Sequence, residues 1–338
     1  MRWLLRKGSW TLHFYSVVVP LYNEESVVEE LYQRLRAELD KLKVQYEIVF
    51  VDDGSRDKTY AIIEKLQIGD SRLKLVKLRA NFGQTGGLAA GIDHASGDVI
   101  ITMDGDLQHA PEDIPTFIEK INEGYDIVSG WRKKRVDGLI LRRIPSKLAN
   151  KFMRYLSGIE LHDFGTTFKA YKRDVIENIR LYGQFHRFVP VLCRAAMKVK
   201  IAEIPIKNIV RPVGQSNYGI TRTFTVFFDL IRIKFLMSFF NQPLKLFGSI
   251  GMMLGGLGFL TLFYILVQRI IHGSTLAVLG SSIFLLAVFL IMSGLQFVLF
   301  GLLAELIVKL YYEGHKVRCY KVEKVVGEFP SPIYGTLG

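Results

Sequence analysis

A parallel α/β domain followed by two membrane-spanning helices is the fold class that this 338-residue chain predicts, and three observations predict it. Strand-like and helix-like segments alternate through the first 130 residues with short turns between them, as in successive βαβ units. Several of the strand-like runs are apolar without alternation, the mark of strands buried on both faces of a parallel sheet. Residues 244–267 and 276–304 carry only Lys245 as a charge, and each exceeds the roughly 20 apolar residues needed to cross a bilayer.

Residues 1–13 read as an N-terminal arm. Met-Arg-Trp-Leu-Leu-Arg-Lys has too short an apolar stretch for a signal peptide, and Trp3 and Trp10 suit either an interface-anchored amphipathic arm or a disordered one. Residues 14–220 form the main domain, with strands expected at 15–20, 46–51, 73–78, 98–103 and 126–129. The helix expected at 25–43 rests on Val28, Leu31, Leu35, Leu39 and Leu42 at helical spacing, with charged positions opposite. Residues 59–66 and 85–94 behave similarly, and 111–122 opens with Pro111, a residue at home in the first helical turn. Residues 142–156 read as a basic helix followed by a loop through 168. Helices are then expected at 172–179 and 185–197 and a strand at 199–206. Residues 221–243 crowd Phe224, Phe227, Phe228, Phe235, Phe239 and Phe240 among a few charges. They form either an amphipathic juxtamembrane helix in the headgroup plane or a plain packing helix. The two spans occupy 244–310, and 311–338 is expected as a basic tail.

The net charge is +12, and its distribution narrows what it means. Lys309, Lys316, Arg318, Lys321 and Lys324 follow the second span, whereas the connection between spans offers only Arg269 at its edge and His272. The positive-inside rule therefore puts both tail and main domain on the cytoplasmic side of the plasma membrane. Anionic headgroups and phosphorylated substrates account for the basic surplus, and no nucleic-acid module is present. Cys193 and Cys319 make no disulfide framework and read as reduced thiols.

The chemistry concentrates at strand ends. The apolar run 98–103 stops at Asp104-Gly-Asp106, where ligands of parallel sheets bind. Two hard oxygen ligands suit Mg²⁺ or Mn²⁺ with substrate phosphates completing the shell, although an Asp-rich turn has the same spelling. The other strand ends deliver Pro20-Leu-Tyr22-Asn-Glu24, Asp52-Asp53-Gly54-Ser55-Arg56-Asp57 and Arg79-Ala-Asn81-Phe82-Gly83-Gln84. Carboxylates facing a diphosphate repel it unless a metal intervenes, so Asp53 and Glu24 are expected to face base and ribose, leaving the cation to Asp104 and Asp106.

Taken in this order and spacing, Val-Pro-x-Tyr-Asn-Glu, Val-Asp-Asp-Gly-Ser-x-Asp, Asn-Phe-Gly-Gln and Asp-x-Asp-Leu-Gln resemble the inverting family-two glycosyltransferases of the GT-A fold, a Rossmann-like architecture. Asp163-Phe-Gly165-Thr-Thr-Phe168-Lys-Ala-Tyr and the two spans resemble, within them, the polyprenyl-phosphate glycosyltransferases related to dolichol-phosphate mannose synthase. The resemblance runs from about residue 16 to about residue 318. It implies a metal-dependent enzyme that moves a hexose-type sugar from a UDP- or GDP-sugar to undecaprenyl or a similar polyprenyl phosphate. It further implies that Pro20, Tyr22, Glu24, Asp53 and Asn81 line the nucleoside pocket. Asp104 and Asp106 then match the metal and diphosphate site, with Gln108 in the sugar region and Asp163 as the acidic residue that orients the acceptor or takes its proton. Arg211-Pro-Val-Gly214-Gln-Ser216-Asn217-Tyr218 resembles the family's Arg-x-x-Gly-x-Ser-Lys-Tyr segment, so Arg211, Ser216 and Tyr218 are expected to reach the phosphates. The family's Lys is Asn217 here, which shifts one phosphate contact to another cation, with Arg187 among the candidates. Gly105 replaces a usual Ala and Ala110 a usual Pro, both expected to be minor, and Ala80-Asn81 stands for a common Arg-Asn. Relatives imply a homo-oligomer, a tetramer being one form.

Three further readings belong beside these. The basic run 132–135 reads as a solvated loop or as a phosphate-steering or membrane-facing one, and His109 and His162 have no spacing that supports zinc. A processive polysaccharide synthase shares the nucleotide-binding half, but its Gln-x-x-Arg-Trp motif is missing. A catalytically silent binding protein conflicts with the presence of Asp53, Asp104 and Asp106.

Overall fold

The computed structural model describes residues 13–133, 153–154, 157–177, 179, 181, 185–207, 209, 243–272, 282–313 and 319–327. The chain forms two units, Met1–Val226 with Arg318–Gly338, and Phe227–Val317. In chain order the first contains β1 (Phe14–Leu21), α1 (Val28–Leu42), β2 (Gln45–Asp52), α2 (Thr59–Gly69), β3 (Leu73–Leu78), α3 (Gly83–His94), β4 (Val99–Thr102), α4 (Ile114–Asn122) and β5 (Ile127–Trp131). It continues with β6 (Lys169–Lys172), α5 (Arg173–Ile176), α6 (Val189–Ala196) and β7 (Ile201–Pro205). The second unit holds α7 (Pro243–His272) and α8 (Ser282–Glu313), after which β8 (Val322–Val326) rejoins the first.

The sheet runs β7-β5-β6-β4-β1-β2-β3-β8. The central strands β4, β1, β2 and β3 are parallel, as the apolar runs of β1 and β4 lead one to expect, while the buried Glu47 of β2 and Lys74 of β3 pair with each other; β5 and β7 are also parallel to each other. Helices α1, α2 and α4 cover one face, α1 through Val28, Leu31, Leu35 and Leu39, while α3, α5 and α6 cover the other. Helix α3 approaches closely because it is glycine-rich. A Cβ at Gly87 would stand 2.8 Å from Pro20 Cβ, and one at Gly91 would collide with Val18.

Two strands lie where the sequence predicts none. β6 is only Lys-Ala-Tyr-Lys, too short and too charged at its ends to read as a strand, yet it runs antiparallel between β4 and β5. The helix expected at 172–179 shrinks accordingly to α5. β8 falls in the expected basic tail and instead pairs antiparallel with β3, the usual role for an added edge strand. Its charges face partners across the edge: Lys77 meets Glu323 at 2.8 Å and Lys324 meets Glu64 at 2.9 Å. The parallel sheet is therefore mixed. The helix expected from residue 25 begins three residues later, because Glu24 O accepts from the N–H groups of Val27 and Val28 in a turn. The 142–156 helix lies almost wholly, and the 221–243 helix up to residue 242, outside the described residues.

Strand order reverses at β1, which has β2 on one side and β4 on the other. The crevice beyond the carboxyl ends of β1 and β4 is thus the topological switch point, where open α/β sheets bind ligands.

In the second unit, Pro243–Ile271 and Ser282–Ile307 have mean hydropathies of 2.1 and 2.6 and are long enough to cross a membrane. Gly251 and Gly294 let the two helices touch, since a Cβ on Gly251 would lie 2.6 Å from Gly294 O. Met252, Phe259, Leu285 and Phe289 point outward and are exposed, a surface matched to lipid and to membrane association.

Candidate active site

The loops after β1 and β2 are built as one piece. Asn23 N donates to Ser55 Oγ at 3.0 Å and its Oδ1 accepts from Arg56 N at 2.8 Å, while Glu24 N donates to Thr59 Oγ1 at 2.9 Å. Gly54 is required between them: its φ is +70° and a Cβ would stand 2.6 Å from the Ala80 carbonyl carbon. The two adjacent carboxylates separate in role. Asp52 points inward and accepts from Ser55 N at 3.3 Å. Asp53, 3 % exposed, accepts from Phe82 N at 2.7 Å, tying the β2 end to the β3 loop. Pro20, half-buried, and Tyr22 and Asn81, both exposed, flank it.

Burial pushes the Asp53 carboxyl up to about 6, against the pull of the Phe82 and Gly83 N–H groups. A carboxyl raised in the folded state lends stability at low pH that is lost as pH climbs through its folded value. Asp53→Asn is therefore expected to gain melting temperature relative to the parent between pH 3.8 and about 6 and to hold a constant margin above that. Melting curves of both proteins in detergent check it, and a margin independent of pH would refute it.

Beyond β4 the chain turns through Asp104-Gly-Asp106-Leu-Gln. Asp104 Oδ1 accepts from Gln84 Nε2 at 2.5 Å, and its N–H donates to Nδ1 of buried His109 at 3.2 Å. His109 is thus the neutral imidazole, lying against Phe168 with ring centroids 5.2 Å apart. Asp106 Oδ1 accepts from Gln108 N at 3.1 Å, and Leu107 between them sits at φ +58° with its side chain 2 % exposed. A left-handed leucine held by core packing is local strain of the kind kept at functional turns. A Cβ on Gly105 would collide with buried Leu21 and stand 3.0 Å from Pro20 O, so the missing methyl is not minor: it lets this turn lie against the end of β1. Among the described residues no cluster of three or more His, Cys, Asp or Glu side chains converges. The donor set is two carboxylates at a sheet edge, which fits a hard divalent cation that takes its remaining ligands from phosphate and water.

Asp163 and Arg132 form a bidentate pair, Nε to Oδ2 at 2.7 Å and Nη2 to Oδ1 at 3.1 Å. Both are largely buried, so Arg132 is not part of a solvated run. Glu203 fixes the preceding residues, accepting from Asp163 N at 3.0 Å and His162 N at 2.7 Å. Below this loop Lys169 is fully buried, donating to Phe164 O and Thr166 O. Burial pushes its ammonium down to about 7 despite the nearby carboxylates Asp163 and Asp104. Arg187 is half-buried beside His186.

Hydrogen bonds thus tie the β1 and β2 loops together, Asp53 to the β3 loop, and Asp104 to Gln84 at the start of α3, while Asp163 is bound to Arg132 and Arg187 to His186. Arg211, Ser216 and Tyr218 lie outside the described residues. The last described residue before them, Ile209, donates its N–H to Gln108 O at 3.0 Å. Sequence reasoning passes over Gln84, Arg132, Lys169 and His186. Gln84 lies in a quoted motif and Arg132 in a charged run, but nothing in Phe-Lys-Ala-Tyr marks Lys169 as buried.

Comparison with known proteins agrees with this geometry. Residues 16–180 match Glycosyl transferase family 2. The chain is 38 % identical to a dodecaprenyl-phosphate galacturonate synthase of Rhizobium johnstonii over 92 % of both chains. It is 36 % identical to an undecaprenyl-phosphate 4-deoxy-4-formamido-L-arabinose transferase of Shewanella sediminis, over 95 % of this chain and 96 % of that one. Among solved structures, glucosyl-3-phosphoglycerate synthase of Mycobacterium tuberculosis, crystallised with Mn²⁺, UDP-glucose and phosphoglyceric acid, superposes with a TM-score of 0.52 at 18 % identity, covering 69 % of this chain and 86 % of that one. That likeness gives the sheet its GT-A type. With the strand-end carboxylates in place and relatives matched along nearly their whole length, the chain belongs to glycosyl transferase family 2 and is a glycosyltransferase.

Proposed function

We propose that this glycosyltransferase moves a sugar from a nucleotide-sugar donor to the phosphate of a polyprenyl phosphate at a membrane surface. The observation that carries the reading is the extent of the similarity: relatives named for prenyl phosphates match through the catalytic domain and the apolar helix pair alike. Pro20, Tyr22, Glu24, Asp53 and Asn81 take the nucleoside of a UDP- or GDP-sugar, with Asp53 accepting a base N–H. Asp104 and Asp106 would hold Mg²⁺ or Mn²⁺ beside the diphosphate, and Gln108 faces the sugar. A divalent cation there supplies charge neutralisation of the departing diphosphate. Arg187, Arg211, Ser216 and Tyr218 meet phosphate oxygens. The reach to Arg211 is supported by Ile209, two residues before it, whose N–H is bonded to Gln108.

An acceptor phosphate oxygen forms its bond to the anomeric carbon as the bond to the diphosphate breaks, and the electron pair leaves with the nucleoside diphosphate. A phosphate monoester has its second pKa near 6, so the acceptor arrives ionised and no side chain needs to take a proton. Asp163, paired with Arg132, shapes the acceptor loop instead. Two crossings return the chain to the side it left, and β8 belongs to the same sheet as β1, which supports a catalytic domain and tail both on the cytoplasmic face of the inner membrane.

The test is a panel of nucleotide sugars offered with undecaprenyl phosphate in detergent and Mn²⁺ or Mg²⁺. A mild-acid-labile glycolipid that requires the cation is expected. A long polymer would favour a processive synthase, and donor binding without any transfer would favour a silent binding protein.

A further inference from the structure

Behind Arg187 lies a buried side-chain relay whose roles are fixed by its geometry. His186 is 4 % exposed, its Nδ1 is 2.7 Å from Thr85 Oγ1, and its Nε2 accepts from Arg187 Nε at 3.4 Å. A guanidinium only donates, so Nε2 carries the lone pair and the proton sits on Nδ1, from where it is given to Thr85. The imidazole is therefore neutral. Burial, reinforced by Arg187 and Lys169, pushes it down to about 3, so it stays neutral at any pH the cell presents. Thr85 is itself buried, in the first turn of α3, and follows Gln84, whose amide reaches Asp104. One continuous path thus joins the Asp104 turn, the α3 start, His186 and Arg187.

We propose that His186 is a positioning residue: it fixes Arg187 to the helix start that carries Gln84, so that the guanidinium meets a substrate phosphate in register with Asp104. The inference rests on the phosphate chemistry of the proposed function. The phosphate has two sources, the donor's diphosphate and the lipid monophosphate, and Arg187 serves one of them. A neutral imidazole suits this place because a charged one would repel the guanidinium and lose the acceptor that holds it.

The test measures binding to the full-length protein in detergent, with uridine or guanosine diphosphate plus Mn²⁺ in one arm and farnesyl phosphate in the other. His186→Leu and Arg187→Ala are each expected to weaken the same arm about tenfold, the order of a charge-assisted hydrogen bond. The double variant should be no weaker than Arg187→Ala alone. His186→Gln, which keeps a donor and an acceptor, should restore most of the affinity, and Thr85→Val should reproduce part of the loss if His186→Leu folds poorly. Additive losses, or both arms unchanged, would overturn the proposal. Wild-type protein that binds nucleoside diphosphate but no prenyl phosphate would sink the acceptor reading while the nucleotide arm still decides the relay. Protein that binds neither sinks both.

Discussion

Asp104→Asn and Asp106→Asn are each expected to lower turnover by about 10²–10³-fold, the scale on which loss of one electrostatic contact to a developing charge is felt. Asparagine is the informative replacement. Asp106 Oδ1 accepts from Gln108 N, and the amide oxygen of Asn keeps that bond, so the turn with its left-handed Leu107 survives. At position 104 the same oxygen still accepts from Gln84. What each variant loses is a negative charge at the proposed cation site. The loss should therefore appear as a rise in the Mn²⁺ concentration needed for half-maximal rate and as weaker metal-dependent binding of the nucleoside diphosphate, with the melting temperature nearly unchanged. Rates measured across a Mn²⁺ titration check this. A variant with parental metal dependence would remove that carboxylate from the cation site.

The parts of the fold that were legible in the sequence are those where one physical signal dominates. β1 and β4 are near-continuous apolar runs, a composition suited to strands buried on both faces, and β2 and β3 keep enough apolar residues around Glu47, Lys74 and Lys77 to read as strands beside them. The helix pair is legible because a bilayer demands length and little else. β6 and β8 were not legible, since each is short, charged and stabilised by what lies beside it: Lys169 pairs in register with Thr102, and Glu323 and Lys324 meet Lys77 and Glu64 from distant parts of the chain. The site divides the same way. Asp53, Asp104 and Asp106 stand at strand ends, where topology makes position predictable. Arg132 and His186 act through partners 31 and 101 residues away, and no local pattern encodes such contacts, while the burial of Lys169 is set by the strands around β6.

Asp163 separates two accounts of the reaction, and Asp163→Asn is expected to decide between them. Both carboxylate oxygens already accept from Arg132, and one also accepts from Gly165 N at 3.1 Å. Both oxygens are thus already engaged in holding the loop that carries them. Removing its charge takes the bidentate carboxylate from the Arg132 guanidinium, which is 17 % exposed. Breaking a largely buried pair from one side costs about 3 kcal/mol, so a lower melting temperature is expected along with a turnover loss of about 10–100-fold from the displaced loop. The pH profile is the deciding readout. If the acceptor phosphate arrives ionised, the acid limb of the rate belongs to the acceptor and persists in the variant. It should move to higher pH when a prenyl phosphonate, whose second ionisation lies higher, replaces the phosphate. If Asp163 were the base, the limb would vanish in Asp163→Asn and the phosphonate would leave the parental profile in place. The bidentate geometry favours the first outcome, in which the protein's task is to place two anions in line and the proton has left before they meet.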